Sequence, residues 1–476
     1  MNTLIGIFMK KILLSLLLYC ACGLHVQAAT AVGAKVIFFD VGQGNCTFVH
    51  IPAKGKPPLL VDAGSSSLRD EGDNFKEGQI KLIQQQIGSL IPRNGYINII
   101  ISHGDLDHYS WIQNIFPKNR EKRKSIFWKE VKLKVLCGGR KEDYPDSFQH
   151  GFLADDEIQY VDSLGGRDSD SAEVKANQYF GWDNSPNFKI LTALTTSDKN
   201  KNSIIVKCSW KKKSVLITGD ATGDTVSGIS SFDAQSTILQ LSHHGATSDM
   251  SNSSTWIKDV SPSYIVSSSG TRQDYPHPDW LALNNIAKAI SIDNLPLVNA
   301  HLIRFHVKYK DYLKLEPMKP LYSGGLHPFL FFDSNYLLFL THFGIYNTTD
   351  AGNITFSWDA GDVIITQGRA QETAEINDLL IRILGNAQPW SYRFPHQECL
   401  SIRLPPINAD QILGTDLFNW NGIYELDVQS VVFQTRQENL LLPLILKLHK
   451  LRRLTGLPGL DLPDEIFNAF GARGLQ

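Results

Sequence analysis

The sequence predicts an α/β fold in which two strand-rich halves, each with helices, are layered on one another. Three observations predict this class. Short apolar runs alternate with turn residues between Lys35 and Val61, as is typical of a strand meander. An isoleucine-rich run, Ile97 to Ile101, is typical of a strand buried on both faces. A second strand-rich half begins at about Ile190.

Length and composition indicate a globular protein with more than one structural unit. The chain has 476 residues, of which 42% are hydrophobic, enough for a well-buried core. Its formal net charge of −2 gives no overall attraction to nucleic acid or to anionic membranes. Binding of either would require a local patch.

The first half is predicted from its apolar runs and turn residues. We expect a helix over Lys81 to Leu90, where apolar residues recur at helical spacing before Pro92. The stretch from Arg140 to Pro186 is polar and rich in Gly and Asp, and is expected to be irregular. The predicted strands of this half are Val36 to Phe39, Thr47 to Ile51, Leu59 to Val61, Ile97 to Ile101 and Ile126 to Leu136.

The second half carries a hairpin and two further strands, and the tail carries helical patterns. The hairpin turns about Lys211 to Lys213. Its predicted strands are Ser203 to Cys208, Ser214 to Ile217, Ile238 to Leu241 and Tyr264 to Val266. Helical patterns in the tail cover Ala374 to Leu384 and Leu440 to Leu454, and their role is left open between packing and partner binding.

Residues 1–28 are predicted to be a secretory signal peptide. Lys10 and Lys11 precede an apolar run from Ile12 to Ala21, and Val26-Gln27-Ala28 supplies a cleavage site. The apolar run is shorter than the ~20 residues that span a bilayer, so an uncleaved anchor is the less favoured alternative. We therefore expect a secreted or periplasmic protein with no transmembrane span in the mature chain.

Three clusters of metal-ligating side chains follow predicted strands. The segment His103-Gly104-Asp105-Leu106-Asp107-His108 comes directly after the isoleucine-rich run. Asp220 follows the second strand of the hairpin, and His243 and His244 follow the next strand. Imidazoles and carboxylates packed this closely suit one or two divalent ions, because the carboxylates would otherwise repel one another. A solvated acidic loop with incidental histidines is the alternative.

With these motifs the sequence resembles the metallo-β-lactamase superfamily, and within it the hydrolase domain of ComEC-type competence proteins. The resemblance covers residues 35 to 360. It implies an αββα sandwich with an insertion at about 282–343 and a partly helical C-terminal extension. The hydrolase domain would span 29–362, and 363–476 would be a region of unknown role. The matching motifs are Phe39 to Gly44, Leu60 to Gly64, His103 to His108, Asn202-Ser203, Thr218 to Asp220, His243 to Gly245, Tyr275 to Pro278 and Ile345 to Thr355.

The resemblance implies a role for each site residue. His244 would be the catalytic neighbour that contacts an oxyanion or protonates a leaving group. The opposite assignment, with His244 as the metal ligand and His243 as this neighbour, is the alternative. Asp107 would also orient the attacking hydroxide, and His277 and Asn202 would contact substrate. The implied metal ligands are His103, Asp105, Asp107, His108, Asp220 and His243.

Two departures from the family pattern bear on the metal. Asp105 stands where the family usually has a second loop histidine, which makes the site richer in oxygen. Two divalent ions are implied, with zinc expected and manganese or iron as alternatives. The intermediate histidine ligand is missing, and Asn202 or Ser203 occupies its place. One of the two ions is therefore expected to bind weakly.

The implied function is an exported, metal-dependent hydrolase, a phosphodiesterase or nuclease that uses a hydroxide shared by two ions. A hydrolase of another ester or lactam is one alternative. A non-catalytic binding protein on the same scaffold is another, in which the C-terminal region would bind a protein partner. The substrate would be a phosphoester or another small molecule. Nucleic acid is a further candidate, through the basic segment Lys118 to Lys134 or the turn Lys211 to Lys213.

Overall fold

The structure is a computed structural model, and it describes most of the chain up to residue 369. Beyond that point it describes three short segments. The described residues are 33–53, 57–66, 72–91, 95–164, 169–270, 277–290, 295–306, 329–333, 336–369, 400–403, 423–427 and 453–455. The predicted signal peptide and the predicted helix Ala374 to Leu384 lie outside them.

The first of two large sheets has eight strands. Its strands in spatial order are β17 (Ile364–Gln367), β16 (Ile354–Trp358), β1 (Ala34–Phe38), β2 (Cys46–His50), β3 (Leu59–Ala63), β4 (Tyr96–Ile101), β5 (Lys132–Cys137) and β6 (Glu157–Tyr160). The meander from β1 to β3 is antiparallel. From β3 to β6 the strands are parallel, and strands β3 and β4 are almost entirely buried, as expected where both faces of a sheet are covered.

The second large sheet has six strands. Its strands in spatial order are β15 (Ile345–Asn347), β11 (Tyr264–Ser267), β10 (Ile238–Gln240), β9 (Lys213–Ile217), β8 (Ile205–Trp210) and β7 (Phe188–Thr192). β8 and β9 form the predicted hairpin, whereas β9, β10 and β11 are parallel. The carboxyl ends of these three parallel strands therefore share one edge.

Helices connect the strands and flank the sheets. They are α1 (Gly72–Leu90), α2 (Leu106–Tyr109), α3 (Ile112–Ile115), α4 (Arg120–Phe127), α5 (Asp146–Gln149), α6 (Ser169–Phe180), α7 (Gly223–Val226), α8 (Ser231–Ala234), α9 (Ser254–Val260), α10 (Trp280–Ala289) and α11 (Thr348–Ala351).

The core is divided between the layers. Side chains of both sheets, such as Val61 and Val206, meet in one buried cluster between them. Ile83 and Ile87 of α1 pack against Ile99 on the outer face of the first sheet. On the second sheet, α9 is the crossover between β10 and β11. The αββα sandwich of the metallo-β-lactamase fold is thereby confirmed.

A third, antiparallel sheet lies in sequence between β11 and β15, where the insertion is predicted. Its strands are β12 (Leu297–His306), β14 (Tyr336–Phe343) and β13 (Phe329–Asp333). A fourth, parallel sheet contains β18 (Leu400–Arg403), β19 (Ile423–Asp427) and β20 (Arg453–Thr455). The domain boundaries themselves remain predictions.

Several sequence expectations are wrong in detail. Ile126 and Phe127 end helix α4, so the strand predicted from Ile126 to Leu136 begins only at Lys132. Asn119 starts that helix by accepting a hydrogen bond from the Lys122 N–H at 2.8 Å, a capping signal that the basic composition masked.

Two further expectations need correction. The stretch from Arg140 to Pro186 is not irregular, because it contains β6 and the twelve-residue helix α6. The predicted helix over Leu440 to Leu454 is wrong at its carboxyl end, because Arg453 and Leu454 belong to β20 and pair with β19. Pairing with a neighbouring strand overrides a local helical pattern there. Within the described part of the chain, no helix has the length and apolar character needed to cross a bilayer.

Candidate metal centre

The three predicted ligand clusters meet at one edge of the sandwich. His103 lies just beyond β4, and Asp107 and His108 lie in α2. Asp220 follows β9, and His244 follows β10. Because β9 and β10 are parallel, their carboxyl ends bring Asp220 and His244 to the same place, opposite the loop of the first sheet.

Two glycines let the backbone around α2 come close to the strands. A Cβ on Gly64 would lie 2.6 Å from the backbone carbon of Asp107, and one on Gly44 would lie 2.8 Å from its backbone oxygen. Both distances are shorter than any real carbon contact, so a larger residue would push the loop away. The glycines of the Gly-Gln-Gly and Asp-Ala-Gly motifs thus set the position of Asp107.

Asp107, His108 and His244 surround one half of the site, which we call the inner half. Their ligand atoms lie within 4.8 Å of one another. His244 Nε2 is 3.3 Å from Asp107 Oδ2 and 3.6 Å from Asp220 Oδ2. His108 Nε2 is 3.2 Å from Asp220 Oδ1. Asp220 therefore lies between the two imidazoles.

Two buried acceptors fix the orientation of these imidazoles. His108 Nδ1 lies 2.8 Å from Asp62 Oδ2, and Asp62 Oδ1 accepts a hydrogen bond from the Ser102 N–H at 2.6 Å. His244 Nδ1 lies 2.7 Å from the Ser268 carbonyl oxygen. A carbonyl oxygen only accepts, so Nδ1 of His244 carries a proton and Nε2 is the nitrogen that faces the site.

The inward-facing atoms fit a cation. His103 Nε2, His108 Nε2, His244 Nε2 and Asp220 Oδ1 are buried and make no hydrogen bond within the described residues. An imidazole lone pair facing a carboxylate oxygen is repulsive unless a proton or a metal ion lies between them. Neutral imidazoles with carboxylates suit zinc, manganese or iron.

His103 and Asp105 form the outer half of the site. His103 Nε2 is 3.4 Å from Asp105 Oδ2, and His103 Nδ1 is 3.1 Å from the Ser102 hydroxyl. Asp105 also pairs with Lys199, whose Nζ is 3.1 Å from Oδ1 and donates to the Gly104 carbonyl oxygen. Sequence analysis missed Lys199, which has no distinctive spacing within its polar loop.

The carboxylates are held in their charged form by the surrounding groups. Burial opposes the charge on Asp220, but His108, His244 and His243 hold the pKa of its carboxyl well below the usual range. The pKa of Asp105 is lowered chiefly by His103 and further by Lys199, against the effect of its partial burial. Both groups are therefore anionic at neutral pH.

The distances favour exchanging the predicted roles of the two adjacent histidines. His243 Nε2 lies 3.8 Å from Asp220 Oδ2, and its side chain is 20% exposed. His244 is closer to both carboxylates and is 2% exposed. Both residues have positive φ angles, 50° and 55°, which cost roughly 1–2 kcal/mol each for non-glycine residues. Such strain often accompanies functional sites.

His277 and Asn202, the two predicted substrate contacts, differ in their surroundings. The ring of His277 lies 5.7 Å from that of His243 and 6.3 Å from that of His244. Asn202 uses its amide for the loop at Thr196, accepting from the N–H at 2.6 Å and donating to the carbonyl oxygen. Those bonds are structural, and a substrate contact for Asn202 stays a prediction.

Two buried aspartates near the motifs have different partners. Asp62 holds His108, as described above, whereas Asp40 pairs with Arg369, whose Nη2 lies 3.2 Å from Asp40 Oδ2. Asp62 is therefore positioned to hold a candidate ligand imidazole in its orientation.

Comparisons with known proteins give one distant relative in sequence. No protein-family profile matches the chain. It is 24% identical over 295 residues to "Recombination protein 2" of Haemophilus influenzae, covering 61% of this chain and 31% of that protein. The chain thus spans about a third of the length of this relative.

A solved structure, "Crystal structure of a long form RNase Z from yeast", shares 11% identity. It matches 52% of this chain and 38% of that one with a TM-score of 0.32. The strand order and the convergence of the His and Asp clusters agree with the metallo-β-lactamase fold.

Proposed function

We propose that the chain is a metal-dependent phosphodiesterase and that its biological substrate is nucleic acid, which makes it a nuclease. The observation that carries the proposal is the inner half of the site. The buried Nε2 atoms of His108 and His244 face the buried carboxylate of Asp220 and make no hydrogen bond within the described residues, and Asp62 and Ser268 hold the two rings in place.

In this proposal the inner half holds a divalent ion through Asp107, His108, His244 and Asp220. When bound, the ion would lower the pKa of a water molecule and stabilise charge on the attacked phosphorus. His103 and Asp105 would hold a second ion more weakly. The metal identity is proposed as zinc, with manganese or iron as alternatives.

The remaining residues would act on the substrate. Asp107 is the most exposed side chain of the inner half, at 19%, so one of its carboxylate oxygens would accept a proton from an attacking water molecule. His243 and His277, whose rings are neighbours, would donate hydrogen bonds to a phosphoryl or leaving-group oxygen. A carboxylate that accepts a proton, beside two imidazoles that donate hydrogen bonds, suits hydrolysis of a phosphodiester.

Sequence similarity supports the nucleic-acid side of the proposal. The chain is similar to a protein named for recombination, and its motifs resemble the hydrolase domain of competence proteins. Export through residues 1–28 is also part of the proposal, which places the enzyme outside the cytoplasm. Fold alone does not fix the substrate, so the substrate has to be tested directly.

The test is hydrolysis of bis-p-nitrophenyl phosphate and of single-stranded DNA by the purified protein. We expect both to be cleaved after stripping with chelator and addition of zinc or manganese, and neither by Asp107→Ala. A protein that binds metal but cleaves only a lactam or a carboxylic ester would contradict the phosphodiesterase assignment. A protein that binds no metal and cleaves nothing would favour the non-catalytic scaffold.

A further inference from the structure

A second charged surface lies at the opposite end of the six-stranded sheet from the metal centre. The centre is at the carboxyl ends of β9 and β10, whereas Lys213, Thr237 and Ser263 lie at the amino ends of β9, β10 and β11. These residues line a groove with a volume of about 740 Å³. A five-residue strand is roughly 16 Å long, so the groove is separate from the metal centre.

Lysines dominate the groove. Asp233 is the acidic residue among its lining side chains, and Asp359 lies 4.0 Å from Lys211 at its edge. The chain as a whole has a net charge of −2, so this concentration of positive charge is local. The lining lysines are Lys189, Lys207, Lys211, Lys212 and Lys213.

The acidic residues do not neutralise this charge. Asp233 Oδ1 pairs with Lys189 at 2.6 Å, and its backbone oxygen accepts from Lys207 at 2.9 Å. Lys212, at the tip of the hairpin, makes no ion pair with any described residue. Burial, together with the charge of Lys189, lowers the pKa of Lys207 despite Asp233. An anionic ligand would relieve that repulsion.

The rest of the lining consists mainly of small polar side chains, with two aromatic rings, the buried Phe188 and the exposed Phe232. Hydroxyl groups of this kind commonly donate hydrogen bonds to phosphate oxygens beside lysines. The Phe232 side chain is 82% exposed, which is unusual for phenylalanine. The hydroxyl-bearing residues are Ser185, Ser209, Ser214, Ser236, Thr237, Ser261 and Ser263.

We propose that this groove binds single-stranded nucleic acid. The lysines and hydroxyls would contact consecutive phosphates, and Phe232 would stack on a base. A charged channel with an aromatic platform is how proteins bind single strands without sequence preference. The proposal concerns binding alone and does not depend on hydrolysis at the metal centre.

The other basic segment of the chain does not offer such a surface. In α4, the guanidinium of Arg123 is buried and bonds to both oxygens of Asp156 at 2.8 and 2.9 Å. Arg120 pairs with Asp155 at 2.8 Å. Both guanidinium groups are thus neutralised by aspartates of the same chain. This argues against the segment Lys118 to Lys134 as the nucleic-acid surface.

The test is fluorescence anisotropy of a labelled 20-nucleotide oligo(dT) with the full-length protein in chelator, over a range of salt concentrations. Lys211→Gln/Lys212→Gln should weaken binding at least tenfold at low salt. It should also reduce the slope of log affinity against log salt by about 1.4, because each lost phosphate contact contributes about 0.7 for single strands. The matched control Lys122→Gln/Lys124→Gln removes two exposed charges from α4. It should change neither the affinity for oligo(dT) nor the slope of log affinity against log salt.

A third variant separates nucleic acid from other polyanions. Phe232→Ala should weaken oligo(dT) binding about tenfold and leave binding of inorganic polyphosphate unchanged. The proposal is overturned if the wild-type protein does not bind oligo(dT), or if the α4 control loses as much affinity as the groove variant. It is also overturned if polyphosphate binds as tightly as oligo(dT) and Phe232→Ala has no effect. Thermal unfolding of each variant shows whether it is folded.

Discussion

The inner and outer halves of the candidate metal centre are built differently. In the inner half, buried partners orient His108 and His244, and the side chains of both histidines are at most 2% exposed. In the outer half, Asp105 is 40% exposed and is already paired with the Lys199 ammonium. Rigid, buried ligands favour tight binding, whereas a fixed positive charge opposes a second cation. The halves should therefore differ in metal affinity.

The largest effect should be the difference between alanine substitutions at the two adjacent histidines, His243 and His244. His244→Ala removes a buried ligand of the inner half, and should reduce both bound metal and hydrolysis of bis-p-nitrophenyl phosphate, the latter on the order of 10³-fold. His243→Ala should keep the tightly bound ion, since its ring is farther from Asp220. Metal retention of the two variants after dialysis checks this. If His243→Ala loses the metal and His244→Ala keeps it, the sequence-based assignment was right.

A smaller effect is expected for Asp62, which supports the inner half without facing the ion. Asp62→Asn keeps a residue that tolerates the positive φ angle of 56° found there, but weakens the acceptor for His108. Metal affinity should fall about 10- to 100-fold, measured by competition with a chromophoric chelator. The matched control is Asp156→Asn, which makes the same change at a buried aspartate that is bonded to Arg123 away from the site, and it should leave metal affinity unchanged. An unchanged affinity in Asp62→Asn, or an equal loss in both variants, would contradict the supporting role of Asp62.

The smallest effect concerns the outer half. Lys199→Ala removes the positive charge beside Asp105 and should tighten a second divalent ion by about fivefold. An exposed pair of this kind is worth about 1 kcal/mol or less. Lys201→Ala, which removes a lysine paired on the surface with Asp224, should leave the second ion unchanged. Isothermal titration of zinc into stripped protein measures both. A weaker second ion in Lys199→Ala would mean that Lys199 supports the outer half.

Much of the fold could be predicted because its signals are local. The isoleucine-rich run gave β4, the Lys211 to Lys213 turn gave the hairpin of β8 and β9, and each ligand cluster followed its strand. One exception was α4: its buried Arg123 bonds to Asp156, 33 residues along the chain, although its capping residue Asn119 is a local signal. Basic composition alone suggested a surface instead.

The details of the site were less predictable because they depend on tertiary contacts. The choice between His243 and His244 rests on two consecutive left-handed residues and on the Ser268 carbonyl oxygen, and a backbone acceptor has no signature in the sequence. Lys199 approaches Asp105 from a loop 94 residues away. The groove at the other end of the second sheet forms only when four separate segments meet there.

The most direct test of the proposed metal centre is the metal content of the purified protein and of Asp107→Ala, measured by mass spectrometry after dialysis against metal-free buffer. We expect about one tightly held divalent ion per wild-type chain and little metal in the variant. Wild-type protein that retains no metal after supplementation with zinc and manganese, or an Asp107→Ala variant that retains as much as wild type, would contradict the proposed centre.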